Sequence, residues 1–235
     1  LRGERPVIDG WFLTHAHSDH IDAFMEIMKN SGDKITVNHL YYNFPDQDFI
    51  FENEDEAEDR RTILEFNALE PEFRDKAVIA KEGDRFEFPG ISFEVLYAQD
   101  SSFRHNAINN SSLVLRLNAG NSRIVFLADL GEEVGKKLLQ THGGLLKADV
   151  VQMAHHGQNG VERDVYEAIR PDLCFWCTPQ WLWDNDQGNG AGTGPWKTLE
   201  VRSWMQELGV GEHLVTKDGT RCVCLEANGL TVLRS

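Results

Sequence analysis

The sequence lacks the features that mark membrane-spanning proteins and proteins that bind along nucleic acids. No stretch approaches 18 consecutive apolar residues, so nothing in it predicts a transmembrane helix. Positive charge is scarce, because 23 Lys and Arg residues stand against 38 Asp and Glu, a formal net charge of −15. Tight, sequence-independent binding to nucleic acid needs clustered Lys and Arg, and these residues are scattered here. We therefore expect no extensive nucleic-acid surface and no membrane span.

Cysteine is also scarce, with four residues in a 235-residue chain. This density is too low for a secreted disulfide scaffold. Cys174 and Cys177 form a CxxC pair, and Cys222 and Cys224 form a CxC pair. Both pairs fall in β-prone runs without the turn residues of a zinc knuckle, so we interpret them as core residues. The absence of a secretory signal predicts a cytoplasmic chain, and the first residue, Leu1, suggests a trimmed N-terminus.

Alternating strand and helix patterns predict one mixed α/β domain over residues 1–235. In residues 19–30, apolar side chains recur at helical spacing, and we expect Ser18 or Asp19 to cap this helix. Residues 35–44 read as one strand, and residues 85–88 and 91–97 as a β-hairpin joined by Pro89-Gly90. Residues 113–117 and 123–128 read as a second pair of strands, joined by residues 118–121.

Two segments stand out by composition. The acidic run at residues 52–59 is typical of the solvent-exposed first turn of a helix, where acidic side chains suit the helix dipole. Residues 179–195 contain Trp181, Trp183 and four glycines, which predicts a flexible flap with aromatic anchors.

The strongest chemical signal is the heptapeptide Thr-His-Ala-His-Ser-Asp-His at residues 14–20. It places four candidate metal ligands between a predicted strand and helix, namely His15, His17, Asp19 and His20. Side chains alternate in extended chain, so the first two histidines project the same way. Imidazole and carboxylate together suit Zn²⁺, Mn²⁺ or Fe²⁺.

Two further strands end in polar residues. Asp129 follows the apolar run 124–128, and His155-His156-Gly157 follows the run 150–154. A carboxylate at the end of a buried strand is costly unless a cation or hydrogen bonds stabilise it. These three side chains would complete a two-metal site.

This pattern resembles the metallo-β-lactamase superfamily of metallohydrolases, and most closely the branch that includes the C-terminal domain of the competence DNA-uptake channel protein. The branch is indicated by Glu82-Gly83-Asp84, Ala148-Asp149-Val150, Lys217-Asp218-Gly219-Thr220 and the run 109–115, Asn-Asn-Ser-Ser-Leu-Val-Leu. The resemblance covers nearly the whole chain. It implies an αββα four-layer sandwich, with the first strands of that fold absent here.

The resemblance also implies metal ligands and two divalent ions, zinc or manganese. His15 and His17 would bind the first ion, and Asp19 and His20 the second. Asp129 would bridge the ions. Either His155 or His156 would complete the second metal, and the other would serve as a neighbouring partner or proton donor.

The sequence departs from the superfamily pattern at the position that would supply the third ligand of the first ion. The wider superfamily has a histidine ahead of the strand that ends in Asp129, whereas Asn109 and Asn110 stand at that position here. His105 lies four residues earlier and is the candidate for this role. The late loop reads Gly194-Pro195 where the branch has His-Pro.

Substrate contacts are predicted for the two asparagines and for three tryptophans that would stack on a flat group: Trp181, Trp183 and Trp196. His39, His142 and His213 match nothing in the family pattern, and we interpret them as structural or surface residues.

The sequence therefore predicts a hydrolase in which a metal-bridging hydroxide attacks a phosphodiester, for example as a nuclease, with Asp19 orienting the attacking group. Its substrate would be a small molecule or the end of a nucleic-acid strand. An ester, lactone, thioester or amide hydrolase on the same site is one alternative. A non-catalytic metal-binding or interaction module is the other.

Overall fold

A computed structural model of the chain describes residues 5–226 and 229–233. The chain divides into two compact units, of which the first comprises residues 1–84 and 97–113 and the second residues 85–96 and 114–235. Strands and helices occur in both units, which confirms the predicted mixed α/β class. The assignment of the whole chain to one domain stays a prediction.

The first unit combines five short strands with three helices. The strands are β1 (Val7–Ile8), β2 (Trp11–Phe12), β3 (Thr36–Val37), β4 (Leu40–Tyr42) and β5 (Ala77–Ile79), and the helices are α1 (Ser18–Ser31), α2 (Gln47–Asn53) and α3 (Ala57–Leu69). Strands β2, β4 and β5 form a parallel sheet, and β1 pairs in parallel with β3.

Helix α1 follows the predicted periodicity. Its buried face carries Ile21, Phe24 and Met25, which join the core of the first unit. The predicted cap is wrong, because the helix begins one residue earlier, at Ser18, with His17 as the N-cap and no capping side chain. The carbonyl of His17 accepts hydrogen bonds from the amides of His20 and Ile21, which fixes the backbone of the histidine motif to the helix.

The second unit is built on a seven-stranded sheet with four helices and a separate hairpin. Its strands are β6 (Arg85–Phe88), β7 (Ile91–Tyr97), β8 (Val114–Ala119), β9 (Ser122–Phe126), β10 (Val150–Gln152), β11 (Leu173–Trp176), β12 (Glu212–Val215), β13 (Cys222–Glu226) and β14 (Gly229–Leu233), and its helices are α4 (Glu132–His142), α5 (Arg163–Ile169), α6 (Gln180–Trp183) and α7 (Thr198–Glu207).

The order of the large sheet is β12-β11-β10-β9-β8-β7-β6. Strands β9 to β12 run parallel to one another, whereas β8 is antiparallel to β9 and β6 is antiparallel to β7. The carboxyl ends of β9, β10 and β11 therefore lie along one edge, where open α/β sheets usually carry their sites.

Some strand bounds differ from the prediction. The hairpin of β6 and β7 is confirmed residue by residue. The next pair closes more tightly than expected, because β8 reaches Ala119 and β9 begins at Ser122, which leaves Gly120 and Asn121 as a two-residue turn. Gly120 has a φ of +57°, which such a turn requires. The long strand predicted from residue 35 to 44 is divided into β3 and β4.

All four cysteines are free thiols. Cys174 is buried, as predicted, but Cys177 and Cys222 are exposed and Cys224 is partly buried. The core interpretation is therefore wrong for these three residues. Among the helices of residues 5–226 and 229–233, none is long and apolar enough to cross a membrane.

Candidate metal centre

Three histidines of the first unit pack together where the loop after β2 meets the first turn of α1. His15 is fully buried, and its ring centroid lies 4.9 Å from that of His17 and 4.1 Å from that of His20. The carboxylate of Asp19 lies 3.7 Å from Nε2 of His20 and remains 59% exposed. The motif thus forms one compact group of donors, open to solvent on the Asp19 side.

Thr14 orients two of these rings. Its hydroxyl lies 3.1 Å from Nδ1 of His15 and 3.4 Å from Nδ1 of His20. Its carbonyl accepts a hydrogen bond of 2.9 Å from the amide of Leu113, which ties the motif to the segment that carries the two asparagines. Sequence reasoning missed this role, although the residue adjoins the motif.

The acidic run differs from the prediction at two positions. Asp59, in the first turn of α3, is only 14% exposed, and its carboxylate lies 3.6 Å from Nε2 of His17. Burial raises the pKa of Asp59 above its ordinary value, while His17 acts to lower it. The carboxylate of Glu54 accepts a hydrogen bond of 3.1 Å from the amide of Ile108. Both carboxylates therefore have partners within the first unit, Asp59 through a charge contact and Glu54 through a hydrogen bond, and are not simply solvated.

The second unit contributes a buried carboxylate between two imidazoles. Asp129 follows β9, and its side chain is only 2% exposed. Its Oδ2 lies 3.3 Å from Nε2 of His156 and 3.9 Å from Nε2 of His155. The amide of His155 donates a hydrogen bond of 2.9 Å to the carbonyl of Ala128, which joins the loops that follow β9 and β10.

Both of these imidazoles are oriented by backbone carbonyls. Nδ1 of His155 lies 3.1 Å from the carbonyl oxygen of Asn159, and Nδ1 of His156 lies 3.0 Å from that of Cys177. Because only an N–H can donate to a carbonyl, a hydrogen is on Nδ1 in each ring, and Nε2 is the nitrogen that faces Asp129. In the neutral form of such a ring, Nε2 carries the lone pair that a metal ligand needs.

The backbone that carries these donors has an unusual conformation. His155 and His156 have φ values of 47° and 56°, and Ala128, next to Asp129, has a φ of 49°. These values lie in the left-handed region, which non-glycine residues seldom occupy. Tyr166 supports the loop, since its hydroxyl accepts a hydrogen bond of 3.2 Å from the amide of Ala154.

The candidate third-ligand segment lies in the first unit. Asn109 and Asn110 are buried, whereas His105 is exposed and its carbonyl accepts a hydrogen bond from Asn110. The hydroxyl of Tyr97 donates to the carbonyl of Asn110 at 2.9 Å. Within the described parts of the chain, Oδ1 of Asn109 is buried and accepts no hydrogen bond. The role of His105 stays a prediction.

The tryptophan segment makes local hydrogen bonds and ring contacts, and its flexibility stays a prediction. Its backbone amides at Gly188 and Gly190 donate to the carboxylate of Asp186 at 2.7 Å and 2.8 Å. Trp181 and Trp196 pack against each other with ring centroids 4.9 Å apart.

Trp183 is enclosed by its neighbours in the second unit. The Arg202 guanidinium lies 4.0 Å from the centroid of its ring, and Trp176 packs edge-on at 5.3 Å. Stacking on substrate by these tryptophans stays a prediction, and Trp181, at 50% exposure, is the most accessible of the three.

The remaining histidines have structural or surface positions, as predicted. His39 is exposed and stacks on Tyr41, and His142 is the last residue of α4. Nδ1 of His213 accepts a hydrogen bond of 3.1 Å from Nε1 of Trp176.

The donors of each unit fit a divalent metal ion by their chemistry. In the first unit, donor atoms of His15 and His17 lie within 4.8 Å of each other, as do those of Asp19 and His20. In the second unit, the buried carboxylate of Asp129 lies beside the imidazoles of His155 and His156, whose Nε2 atoms face it. Imidazole nitrogen with carboxylate oxygen is the donor set of zinc, manganese and iron sites. These groups could therefore bind metal.

Comparison with known proteins supports this interpretation. A family model described as a beta-lactamase superfamily domain matches residues 1–158, about two thirds of the chain. ComE operon protein 3 of Bacillus subtilis (strain 168) is 30% identical over 155 residues, which are 65% of this chain and 17% of that protein. Competence protein ComA of Neisseria gonorrhoeae is 31% identical over 106 residues, 45% of this chain and 15% of that protein. The chain thus spans less than a fifth of each of these relatives.

A solved structure shows the same fold at low sequence identity. The crystal structure of CmlA, described as a diiron beta-hydroxylase from Streptomyces venezuelae, superposes with a TM-score of 0.52 at 13% identity. The match covers 99% of this chain and 46% of that one. Together with the family match, it confirms the predicted metallo-β-lactamase-like fold. The two competence relatives confirm the predicted resemblance to the competence proteins.

Proposed function

Because the chain belongs to the beta-lactamase superfamily, we propose that it is a metal-dependent hydrolase with a binuclear site and that its substrate is a phosphodiester. The observation that carries the proposal is the buried carboxylate of Asp129 beside two imidazoles oriented with Nε2 toward it. Burial of a carboxylate without a nearby cation costs free energy, because the charge loses its contact with water. The histidine motif at residues 15–20 supplies the other ligands that the family pattern requires.

The proposed ligand set follows the family pattern. His15 and His17 would hold the first ion, with His105 as the candidate third ligand, and Asp19 and His20 would hold the second ion. Asp129 would be the ligand that the two ions share. The distance of 3.3 Å from Nε2 of His156 to Asp129, against 3.9 Å for His155, favours His156 as the remaining ligand of the second ion.

The protein's own groups then have distinct tasks. Two divalent ions would lower the pKa of a bound water and neutralise negative charge that develops on the substrate. Asp19, the most exposed of the donors in its motif, orients the attacking water and accepts its proton. His155, held through Nδ1 by the carbonyl of Asn159, takes up a proton from solvent on Nε2 and donates it to the leaving oxygen from this imidazolium form.

The choice of a phosphodiester rests on the resemblance to the competence branch. Two features of this chain carry that resemblance, namely the buried segment 109–112 and the His-His-Gly sequence at residues 155–157. With a net charge of −15, the chain is poorly suited to hold long nucleic acid by electrostatics alone. The proposed substrate is therefore a small phosphodiester or the end of a strand.

The test is hydrolysis of bis-p-nitrophenyl phosphate by protein loaded with Zn²⁺ or Mn²⁺, with p-nitrophenyl acetate and a lactone assayed in parallel. We expect phosphodiester turnover and two metals per chain by elemental analysis. Turnover of the acyl substrates alone would replace the proposal with the ester and lactone alternative. A folded protein that takes up no metal would support the non-catalytic module.

Two variants separate the roles of the adjacent histidines. His156→Asn is expected to lower the metal content from two ions to one. His155→Asn is expected to keep both ions and to lose about 100-fold or more in kcat, the usual contribution of a general acid. His39→Asn, a surface change, is the control and should match the wild type. Loss of metal in His155→Asn but not in His156→Asn would reverse the assignment.

A further inference from the structure

We infer that Asp59 is a positioning residue for His17: its carboxylate holds the hydrogen of that imidazole on Nε2 and leaves Nδ1 as the metal-binding nitrogen. The inference rests on the proposed metal site and names a residue outside the histidine motif, 42 positions further along the chain than His17.

The first argument is geometric. The carboxylate Oδ1 of Asp59 lies 3.6 Å from Nε2 of His17, and both side chains are largely buried, at 14% and 22% exposure. An imidazole has two distinct nitrogens, and a carboxylate beside one of them stabilises the tautomer with its hydrogen there. The other nitrogen then carries the lone pair that a metal needs.

The second argument is that the two arginines next to Asp59 in the sequence donate their hydrogen bonds to other groups. The guanidinium of Arg60 donates to the carbonyls of Phe51 and Glu54. The guanidinium of Arg61 donates to the carboxylates of Asp22 and Glu65. Among the residues that the structure describes, His17 is the ion-pair partner found for Asp59.

The third argument is the rigidity of both ends of the contact. His17 is the N-cap of α1, and its carbonyl accepts two backbone hydrogen bonds, so its main chain is fixed. Asp59 lies in the first turn of α3, a 13-residue helix whose buried side chains Ile63 and Phe66 belong to the core of the first unit. Two elements that pack in the same core thus hold the carboxylate against the ring.

The fourth argument separates Asp59 from the other acidic residues of its segment. Asp55, four residues earlier, is fully exposed and lies 3.5 Å from Arg60, and Glu58 is 65% exposed. These side chains serve as solvated surface charges. Asp55 therefore offers a matched control, with the same side chain in the same segment and no contact with the histidine motif among the ion pairs and hydrogen bonds of the described residues.

The experiment uses the full chain and two readouts. In metal-free protein at pH 8, long-range ¹H–¹⁵N spectra report which nitrogen of His17 is protonated. We expect the Nε2–H tautomer in the wild type and in Asp55→Ala, and a mixture of tautomers in Asp59→Ala. The affinity for Zn²⁺, measured by competition with a chelator, should fall about 10- to 100-fold in Asp59→Ala and stay unchanged in Asp55→Ala.

Asp59→Asn is the control for misfolding of the alanine variant, since asparagine keeps nearly the same shape and one acceptor oxygen but loses the charge. It should show an affinity between those of the wild type and Asp59→Ala. An unchanged His17 tautomer in Asp59→Ala, or an unchanged Zn²⁺ affinity in both Asp59 variants, would overturn the inference. If the wild type itself bound no Zn²⁺, the proposed function would fail, and the tautomer in metal-free protein would still decide the role of Asp59.

Discussion

The indole of Trp176 packs directly on Gly157, so that a Cβ placed on this glycine would stand 2.4 Å from Cε3 and Cζ3 of the ring. Gly157 also has a φ of +80°, which L-residues rarely adopt. The close approach of strand β11 to the loop that carries His155 and His156 therefore depends on a residue without a side chain.

Replacement of this glycine should damage both the fold and the site. Gly157→Ala is expected to destabilise the protein by about 2–4 kcal/mol, because the steric clash adds to the cost of the positive φ. Urea unfolding measures this loss. Gly188→Ala is the matched control, since Gly188 has a φ of +97° but no atom within 4 Å of its added Cβ. It should therefore show the conformational cost alone, and equal losses in the two variants would contradict the clash.

Removal of the buried charge of Asp129 should reduce metal binding at the proposed centre. Asp129→Asn keeps the shape of the side chain but loses the carboxylate that would bridge two ions. We expect fewer than two metals per chain and about 100-fold or greater loss of phosphodiester hydrolysis. Asp172→Asn, an exposed change in the same unit, should behave as the wild type. Full metal content in Asp129→Asn, measured by elemental analysis, would argue against the bridge.

His213 should make the protein less stable in mild acid. Burial lowers the pKa of His213 below its ordinary 6.5, because removal from water disfavours the charged imidazolium, and Arg202 adds to this effect. The neutral ring accepts a hydrogen bond from Trp176. The folded state then binds this proton less readily than the unfolded chain. Its contribution is complete above pH 6.5 and declines as the pH falls from 6.5 toward the lower folded value.

The effect should be small, because the residue remains partly exposed. Urea unfolding between pH 5 and 8 should show a shallower decline for His213→Gln than for the wild type. Identical pH profiles for the two proteins would show that another group is responsible.

The thiols should differ in reactivity toward iodoacetamide at pH 8. Burial raises the pKa of Cys174 to about 12, so almost none of it is thiolate at this pH. Burial of its thiol also raises the pKa of Cys177, although the residue as a whole is exposed. Cys222 should therefore be labelled first and Cys174 last, as measured by mass spectrometry of digested protein. Labelling in urea, where all four should react alike, is the control, and early labelling of Cys174 in native protein would contradict its burial.

Much of the fold and the donor set was predictable because it depends on local patterns. The periodicity of residues 19–30 predicted α1, and Pro89-Gly90 predicted the β6–β7 hairpin in its observed register. Asp129 and His155-His156 were identified from their position after apolar runs, and they do lie together in the second unit.

The contacts that orient these donors were not predictable, because they depend on tertiary packing. Nothing in the acidic run distinguishes Asp59 from Asp55 until α3 packs in the core and buries one of them. The carbonyls of Asn159 and Cys177 carry no sequence signal at all, since every residue has one. The short strands β3 and β4 were merged in prediction because residues 35–44 are rich in β-branched and aromatic side chains, and composition alone does not show where strand pairing stops.

The left-handed backbone at Ala128, His155 and His156 implies that the protein has lower folding stability because of the way it places its donor side chains. Such conformations cost on the order of 1–3 kcal/mol each in non-glycine residues. All three residues adjoin or belong to the proposed donors. In these loops, therefore, the second unit loses folding stability to backbone strain, and the strained backbone fixes the orientation of the donor side chains. Engineering for heat resistance should therefore begin at position 128, where glycine would relax the chain without altering a donor, and should leave the two histidines untouched.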